Sequence, residues 1–259
     1  MPLYPGTRQT DAMLREDFIG KLLLFTGDTR MIWSPKATDT TSSTEVSLNG
    51  RAVTHGATLA GRLSALGLGY AASFNGSSDY SQLADNADFT HGDSATDTAF
   101  SVVALINVNN TATAKTILSK DTTNEREYRF VVQADETLLV EMTDNSVPTS
   151  PTRTTNSAIT TGAWNVVSFG YSGGGGATNM NNVNMIVNGV AVSSTAANNA
   201  SYVAMENKAA ALQIGSRTAG AADFFDGSIA LVIECAKFLS LSEQWALSRL
   251  IRSYFGLST

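Results

Sequence analysis

The chain has 259 residues, 43% of them hydrophobic, enough to bury a large core as one all-β sandwich or as two small domains. Its 17 basic and 23 acidic side chains leave a net charge of -6, and only 15% of residues are charged, so it lacks the basic footprint that nucleic acid or an anionic membrane surface would require. Thr, Ser, Asn and Gly fill stretches such as "TDTTSSTEVSLNG" and "TSPTRTTNSAITTG", a composition suited to turns and strand faces.

The lone Cys235 has no partner for an internal disulfide. Charged residues at Arg8, Asp11, Arg15, Glu16 and Asp17 interrupt the start where a secretory signal would need an apolar stretch, and no apolar run reaches the length of a membrane span. The expectation is a protein made in a cytoplasm. Residues 1 to 19 read as an N-terminal arm or short helix, with Met13, Leu14 and Phe18 as a small apolar stripe. Such an arm docks either on its own domain or on a neighbouring chain.

From Lys21 to the C-terminal segment the sequence reads as strands, forming one domain over residues 20 to 259. In "AFSVVALINV", Phe100, Val102, Ala104 and Ile106 alternate with Ser101, Val103, Leu105 and Asn107. "YRFVVQA" places Tyr128, Phe130 and Val132 on one face, and "TLLVEM", "AWNVVSFGY", "VNMIVNGVAV", "ALQIGS" and "SIALVIECAKF" continue the pattern. Asn188-Gly189 is a hairpin signal, because both turn positions require positive φ. No long helical segment separates these runs, so an antiparallel sandwich is expected instead of a βαβ fold. One helix follows. Ser240 and Glu243 make a capping box, Leu241, Trp245, Leu250, Ile251 and Tyr254 a stripe to bury, and Gly256 a stop.

"GYSGGGGATN" contains Gly-x-Ser-x-Gly at Gly170, Ser172 and Gly174. A nucleophile elbow needs a helix directly after its serine and a later histidine. The glycines after Ser172 oppose a helix, and both histidines, His55 and His91, come before it. A phosphate cradle also fails, since no Gly-Lys-Ser/Thr follows. The stretch is read as the mobile, outward-facing tip of a loop between paired strands.

These two strands carry a resemblance. "TGAWNVVSFGYSGGGG" followed by "VNMIVNGVAVSS" resembles the laminin-G-like group of concanavalin A-type jelly rolls. "AASFNGSSDYSQLAD", "TAFSVVALINV" and "IGSRTAGAADFFDGSIALVIECAKFLSLSEQ" are similar to further pieces of that group and fall in its order. The resemblance implies an all-β antiparallel β-sandwich with a C-terminal helix. Ala230 and Leu231 replace the acidic pair that often follows Phe-x-Gly-x-Ile in the group, and Asn75 replaces the usual Asp before Gly76. Calcium wants about six to eight oxygen ligands. Its weak candidates here are Asp79, Asp223 and Asp226, which read equally as turn formers, so neither a metal nor a cofactor is expected.

Some enzymes on this jelly roll hydrolyse polysaccharides with carboxylates on alternate residues of one strand. The associated Glu-x-Asp-x-x-Glu pattern is absent; Glu125 and Glu127 read as a solvated edge beside Arg126 and Arg129, and Glu234 as a lone residue at a strand end. An enzyme is therefore not expected. A glycan-binding site needs exposed rings beside hydrogen-bonding groups. Trp33, Trp164, Tyr80, Tyr128 and Tyr171 are the rings considered, with Trp164 buried and Tyr171, beside the glycines, the exposed candidate. With its short arm, few charges and no catalytic set, the chain looks like virion proteins of tailed bacteriophages. The leading expectation is a virion protein decorating a capsid, homo-oligomeric, and bound to a major capsid or other virion protein through Leu3, Tyr4, Met13, Leu14 and Phe18. The alternative is a glycan-binding adhesion module.

Overall fold

The computed structural model describes residues 11–56, 62–109, 111–218 and 220–258. Helix α1 (Asp11–Thr26) leads into β1 (Thr29–Trp33), β2 (Ser42–Thr44), β3 (Ala52–His55), β4 (Leu63–Leu66), β5 (Gly69–Asn75) and β6 (Ser81–Leu83). Next come β7 (Phe100–Val108), β8 (Lys115–Thr122), β9 (Glu125–Val132), β10 (Leu138–Met142), β11 (Thr152–Thr155) and β12 (Trp164–Tyr171). Then follow β13 (Val183–Val187), β14 (Val190–Ala191), β15 (Ser194–Ala197), β16 (Leu212–Ile214), β17 (Asp226–Cys235) and α2 (Leu241–Tyr254).

Among the described residues the strands form two antiparallel sheets, facing each other as the alternation in β7 and β9 predicts. One runs β14-β13-β12-β7-β17-β5-β4, with β1 also paired to β17; the other runs β15-β11-β10-β9-β8-β16-β6-β3-β2. Strand β17 lies at the centre of the first. It pairs with β7 along one edge, and β5 and β1 share its other edge, Asp226 to Ile229 with β5 and Val232 to Cys235 with β1.

Two apolar layers hold the molecule together. Phe100, Val102, Ala104, Ile106 and Val108 of β7 meet Phe130, Val132 and Phe169 in the core between the sheets. Val103 and Leu105, on the opposite face of β7, join Phe18 and Leu22 of α1 and Leu247 and Ile251 of α2 in a second layer outside the first sheet. With both faces covered, β7 is apolar on both along its middle, and the polar half of its alternation is confined to Ser101 and Asn107 near its ends.

The two helices differ from expectation in extent and in facing. Residues 21 to 26 continue α1 instead of starting a strand: "KLLLF" is an apolar run whose periodicity does not separate helix from buried strand, and the chain turns at Gly27 before β1. The helix thus runs through positions 19 and 20. Phe18 is 3% exposed, stacked on Tyr254 with ring centres 3.8 Å apart and edge-on to Phe255. A partner therefore cannot reach Phe18 while α1 is docked. Leu14 is partly buried and Met13 exposed, whereas Leu3 and Tyr4 lie outside the described residues. In α2 the Ser240–Glu243 capping box forms as expected. The buried face, however, is Gln244, Leu247, Ser248, Ile251 and Tyr254, while Leu241 and Trp245 are exposed. Gln244 sets this rotation by bonding to Ser168 Oγ, Asn184 Oδ1 and the Leu239 carbonyl, anchoring a polar side chain to β12 and β13.

Candidate functional site

Of the carboxylates that a glycosidase reading would use, Glu127 and Glu234 lie inside the molecule and Glu125 is partly buried. Glu234 is fully buried on β17, where its Oε1 accepts from the Tyr128 hydroxyl at 2.8 Å and lies 2.7 Å from His91 Nε2. His91 in turn stacks on Phe100, with ring centres 4.1 Å apart. Glu127, expected at a solvated edge, is also fully buried and pairs with Lys120. A bulge near Lys120 in β8 and the amide of Lys208, 2.9 Å from Glu127 Oε1, enclose it. Burial pushes the Glu127 carboxyl up to about 7, against the opposing pull of the Lys120 ammonium. The Tyr128–Glu234 bond joins β9 of one sheet to β17 of the other and so cross-links the sandwich, whereas Glu127 and Lys120 tie the neighbouring strands β9 and β8.

Tyr171 belongs to the same interior. Its ring is fully buried, and its hydroxyl donates to Asp97 Oδ2 at 2.9 Å while accepting from the Gly175 amide at 3.0 Å. Tyr202 donates to the same Asp97 oxygen at 2.8 Å, and the Met205 amide to Oδ1 at 2.8 Å. Desolvation raises the Asp97 carboxyl above its ordinary range, and burial together with the Asp97 charge raises both tyrosines. Tyr171 is thus corrected from exposed ring to buried tie: alternation along β12 turns it inward with Phe169. The loop after it is not a loose tip. Gly173, Gly174, Gly175 and Gly176 all have positive φ, and the Gly174 and Gly176 amides bond to the Asp97 and Val203 carbonyls. A Cβ at Gly175 would fall 2.4 Å from the Val203 oxygen, so the glycines serve close packing as well as backbone conformation.

Two of the three calcium candidates are held by arginines and the third by an asparagine. Asp79 pairs with Arg62 and accepts from the Asn75 amide, Asp223 is shared by Arg129 and Arg217, and Asp226 accepts from Asn109. Among the described residues no three His, Cys, Asp or Glu side chains gather to hold a metal ion. Trp33 is buried, and Trp164, expected to be buried, is only partly so.

The exposed tryptophan is Trp245, which the sequence pattern assigned to the buried stripe of α2; it is 48% exposed. Positions 245, 249 and 252 follow i, i+4 and i+7 spacing and share one helix face. The Asn188-Gly189 turn, with φ of 51° and 81°, brings the β13–β14 hairpin against that face. Asn188, Gly189, Trp245, Ser248, Arg249 and Arg252 enclose a groove of 260 Å³. The Arg249 guanidinium lies 4.9 Å over the Trp245 ring, and Arg252 reaches Asn188 Oδ1 at 2.9 Å and the Ser258 carbonyl. Ser248 Oγ, buried at the groove wall, has no hydrogen-bond partner. The groove combines a half-exposed ring with donors, the chemistry that suits a sugar's apolar face and its hydroxyls. Only a comparison of α2 with the strands beneath it reveals the site, since the Gln244 anchor rotates Trp245 outward.

Comparison with known proteins agrees with this architecture. In structure the chain is similar to domain 4 of AbnA, an extracellular arabinanase from Geobacillus stearothermophilus, solved in complex with arabinotriose (18% identity, TM-score 0.60, covering 85% of this chain and 98% of that domain). It is also similar to the receptor-binding domain of the botulinum neurotoxin C/D mosaic serotype (12%, 0.59, 86% and 51%). A third similar structure is of botulinum neurotoxin type C, whose cell entry depends on interaction with two ganglioside molecules (10%, 0.60, 88% and 52%). The chain spans about half the length of these toxin structures. No curated protein sequence matches it. The family model for the concanavalin A-like lectin/glucanases superfamily matches residues 75–233, more than half of the chain and the stretch from the end of β5 through most of β17, and the chain belongs to that superfamily.

Proposed function

We propose that this protein is a non-catalytic glycan-binding module whose binding surface is the groove between α2 and the β13–β14 turn. The observation that carries the reading is Trp245, a half-exposed ring over a groove lined by hydrogen-bonding side chains. Burial of Glu127 and Glu234 argues against hydrolysis, because a catalytic carboxylate must touch its substrate. The arabinotriose complex of AbnA domain 4 supports the same class of ligand. The test is a glycan array probed with the wild-type protein and with Trp245→Ala. The variant should lose the bound glycans while keeping its unfolding free energy to within about 0.5 kcal/mol, as expected for a surface substitution. An array on which the wild type binds nothing, or on which Trp245→Ala binds equally well, overturns the reading.

A capsid-decorating role is a second reading, resting on α1. Leu24 is 84% and Phe25 37% exposed on that helix, an apolar edge that a virion partner or sister subunit would cover. Co-sedimentation with a large particle at a fixed ratio to one shell protein, lost on Leu24→Asp, supports it; a protein that stays at the top of the gradient refutes it.

A further inference from the structure

We infer that the ligand of the α2 groove is a saccharide carrying a carboxylate, recognised by Arg249; this rests on the glycan-binding reading above. The protein has more acidic than basic side chains, and the other arginines among its described residues are committed. Arg30 and Arg51 pair with Asp88, Arg62 with Asp79, Arg126 with Asp121, and Arg129 and Arg217 with Asp223. Arg15 and Arg153 donate to backbone carbonyls, and Arg252 is held by Asn188 and Ser258. Among the described residues Arg249 is the one guanidinium with neither an ion pair nor a hydrogen bond to the protein. It is nonetheless placed, stacked on Trp245, so its planar donor fork is partly ordered before any ligand arrives.

Among the described residues the groove around it contains no acidic side chain: its lining is two arginines, Asn188, Gly189, Trp245 and Ser248. A local positive field on a negatively charged molecule attracts an anion and repels little of what it must bind. A carboxylate matches the guanidinium fork with two parallel hydrogen bonds. The Trp245 ring supplies the stacking surface for the sugar that carries that carboxylate. A neutral sugar would use the ring but leave the Arg249 fork unmatched.

The experiment is an NMR titration followed on the backbone amide signals of Asn188, Gly189 and residues 245 to 252, and on the Trp245 indole signal where that ring is present, with 3′-sialyllactose and trigalacturonic acid as acidic probes and lactose and maltotriose as neutral ones. Wild type, Arg249→Gln and Trp245→Ala are compared at low and physiological salt. At least one acidic probe should bind the wild type roughly fivefold to tenfold more tightly than the neutral probes, with the gap narrowing as salt rises. Which acidic probe binds separates a sialic acid source from a uronic acid source. Arg249→Gln should abolish the preference, weakening that acidic probe at least about fivefold more than it weakens the neutral probes. Acidic and neutral probes binding alike to the wild type, with both lost in Trp245→Ala, overturns the carboxylate inference and leaves glycan binding standing. A persistent acidic preference in Arg249→Gln overturns the role of Arg249. Wild-type amide and indole signals unmoved by all four probes overturn both readings.

Discussion

Replacing Tyr171 with Phe isolates the polar tie inside the sandwich from the packing around it. The ring keeps its shape and its edge-on contact with Phe100, 6.0 Å between ring centres, so no cavity is created. What disappears is the hydroxyl that donates to Asp97 Oδ2 and accepts from the Gly175 amide. A hydrogen bond to a buried charged group contributes about 1.5 to 3 kcal/mol, and an amide left without an acceptor costs about 1 kcal/mol more, giving an expected loss of about 2.5 to 4 kcal/mol. Tyr202→Phe removes a single bond to the same oxygen and should cost about 1.5 to 3 kcal/mol. The assay is urea unfolding at pH 7.5 followed by tryptophan fluorescence, comparing midpoints at unchanged slope. Both hydroxyls donate to the charged form of Asp97, whose folded pKa burial raises. The deficit of each variant is therefore full above that folded pKa and shrinks as pH falls through it. A Tyr171→Phe protein within about 0.5 kcal/mol of wild type, the scatter expected of an uninvolved surface substitution, refutes the account. So does one that loses glycan binding at wild-type stability.

Other perturbations have distinct readouts. Phe18→Ala removes a buried ring stacked on Tyr254 and should cost about 3 to 5 kcal/mol, with loss of hydrogen-exchange protection confined at first to α1; protection unchanged along α1 would count against its docking through Phe18. Gly176→Ala meets open space and should cost only the backbone strain of about 1 to 2 kcal/mol, whereas Gly175→Ala also drives a methyl against the Val203 carbonyl and should cost clearly more. Equal midpoints for the two in urea would contradict the close packing of the loop. Glu127 binds its proton more tightly folded than unfolded, its carboxyl moving from 4.5 to about 7, so its contribution to stability is lost as pH rises through that window. Glu127→Gln should flatten this fall, by up to about 3 kcal/mol between pH 4 and pH 8; a wild-type and variant pair with parallel pH profiles would exclude it.

The sandwich was legible because its signals are local. Alternation in β7 and β9, the Asn188-Gly189 turn and the Ser240–Glu243 box each depend on residues close in sequence, and each forms as expected. What the sequence concealed depends on long-range partners. Glu127 reads as solvated until the Lys208 amide and Lys120 close over it, and Glu234 reads as isolated although His91 and Tyr128 meet it. Trp245 looks like core because helix periodicity supplies a stripe without saying which way it faces; Gln244, bound to Ser168 and Asn184, decides that. Tyr171 was misplaced for the opposite reason. The glycines beside it suggested a loose, solvated loop, whereas four positive-φ residues in succession pack that loop down onto Asp97 and Val203.

The central position of β17 bears on how the molecule is made. On a ribosome this strand emerges after the sixteen others, yet it alone joins β7 and the strands stacked on it to β5, β4 and β1. Until residues 226 to 235 are out, the first sheet exists as two fragments, β14-β13-β12-β7 and β5-β4, and a separate β1, with the β7 and β5 edges open to any passing strand. Folding of this sheet is consequently a late, nearly all-or-none event, and a nascent chain halted before Asp226 should be a client for chaperones even though most of the future core has already been synthesised.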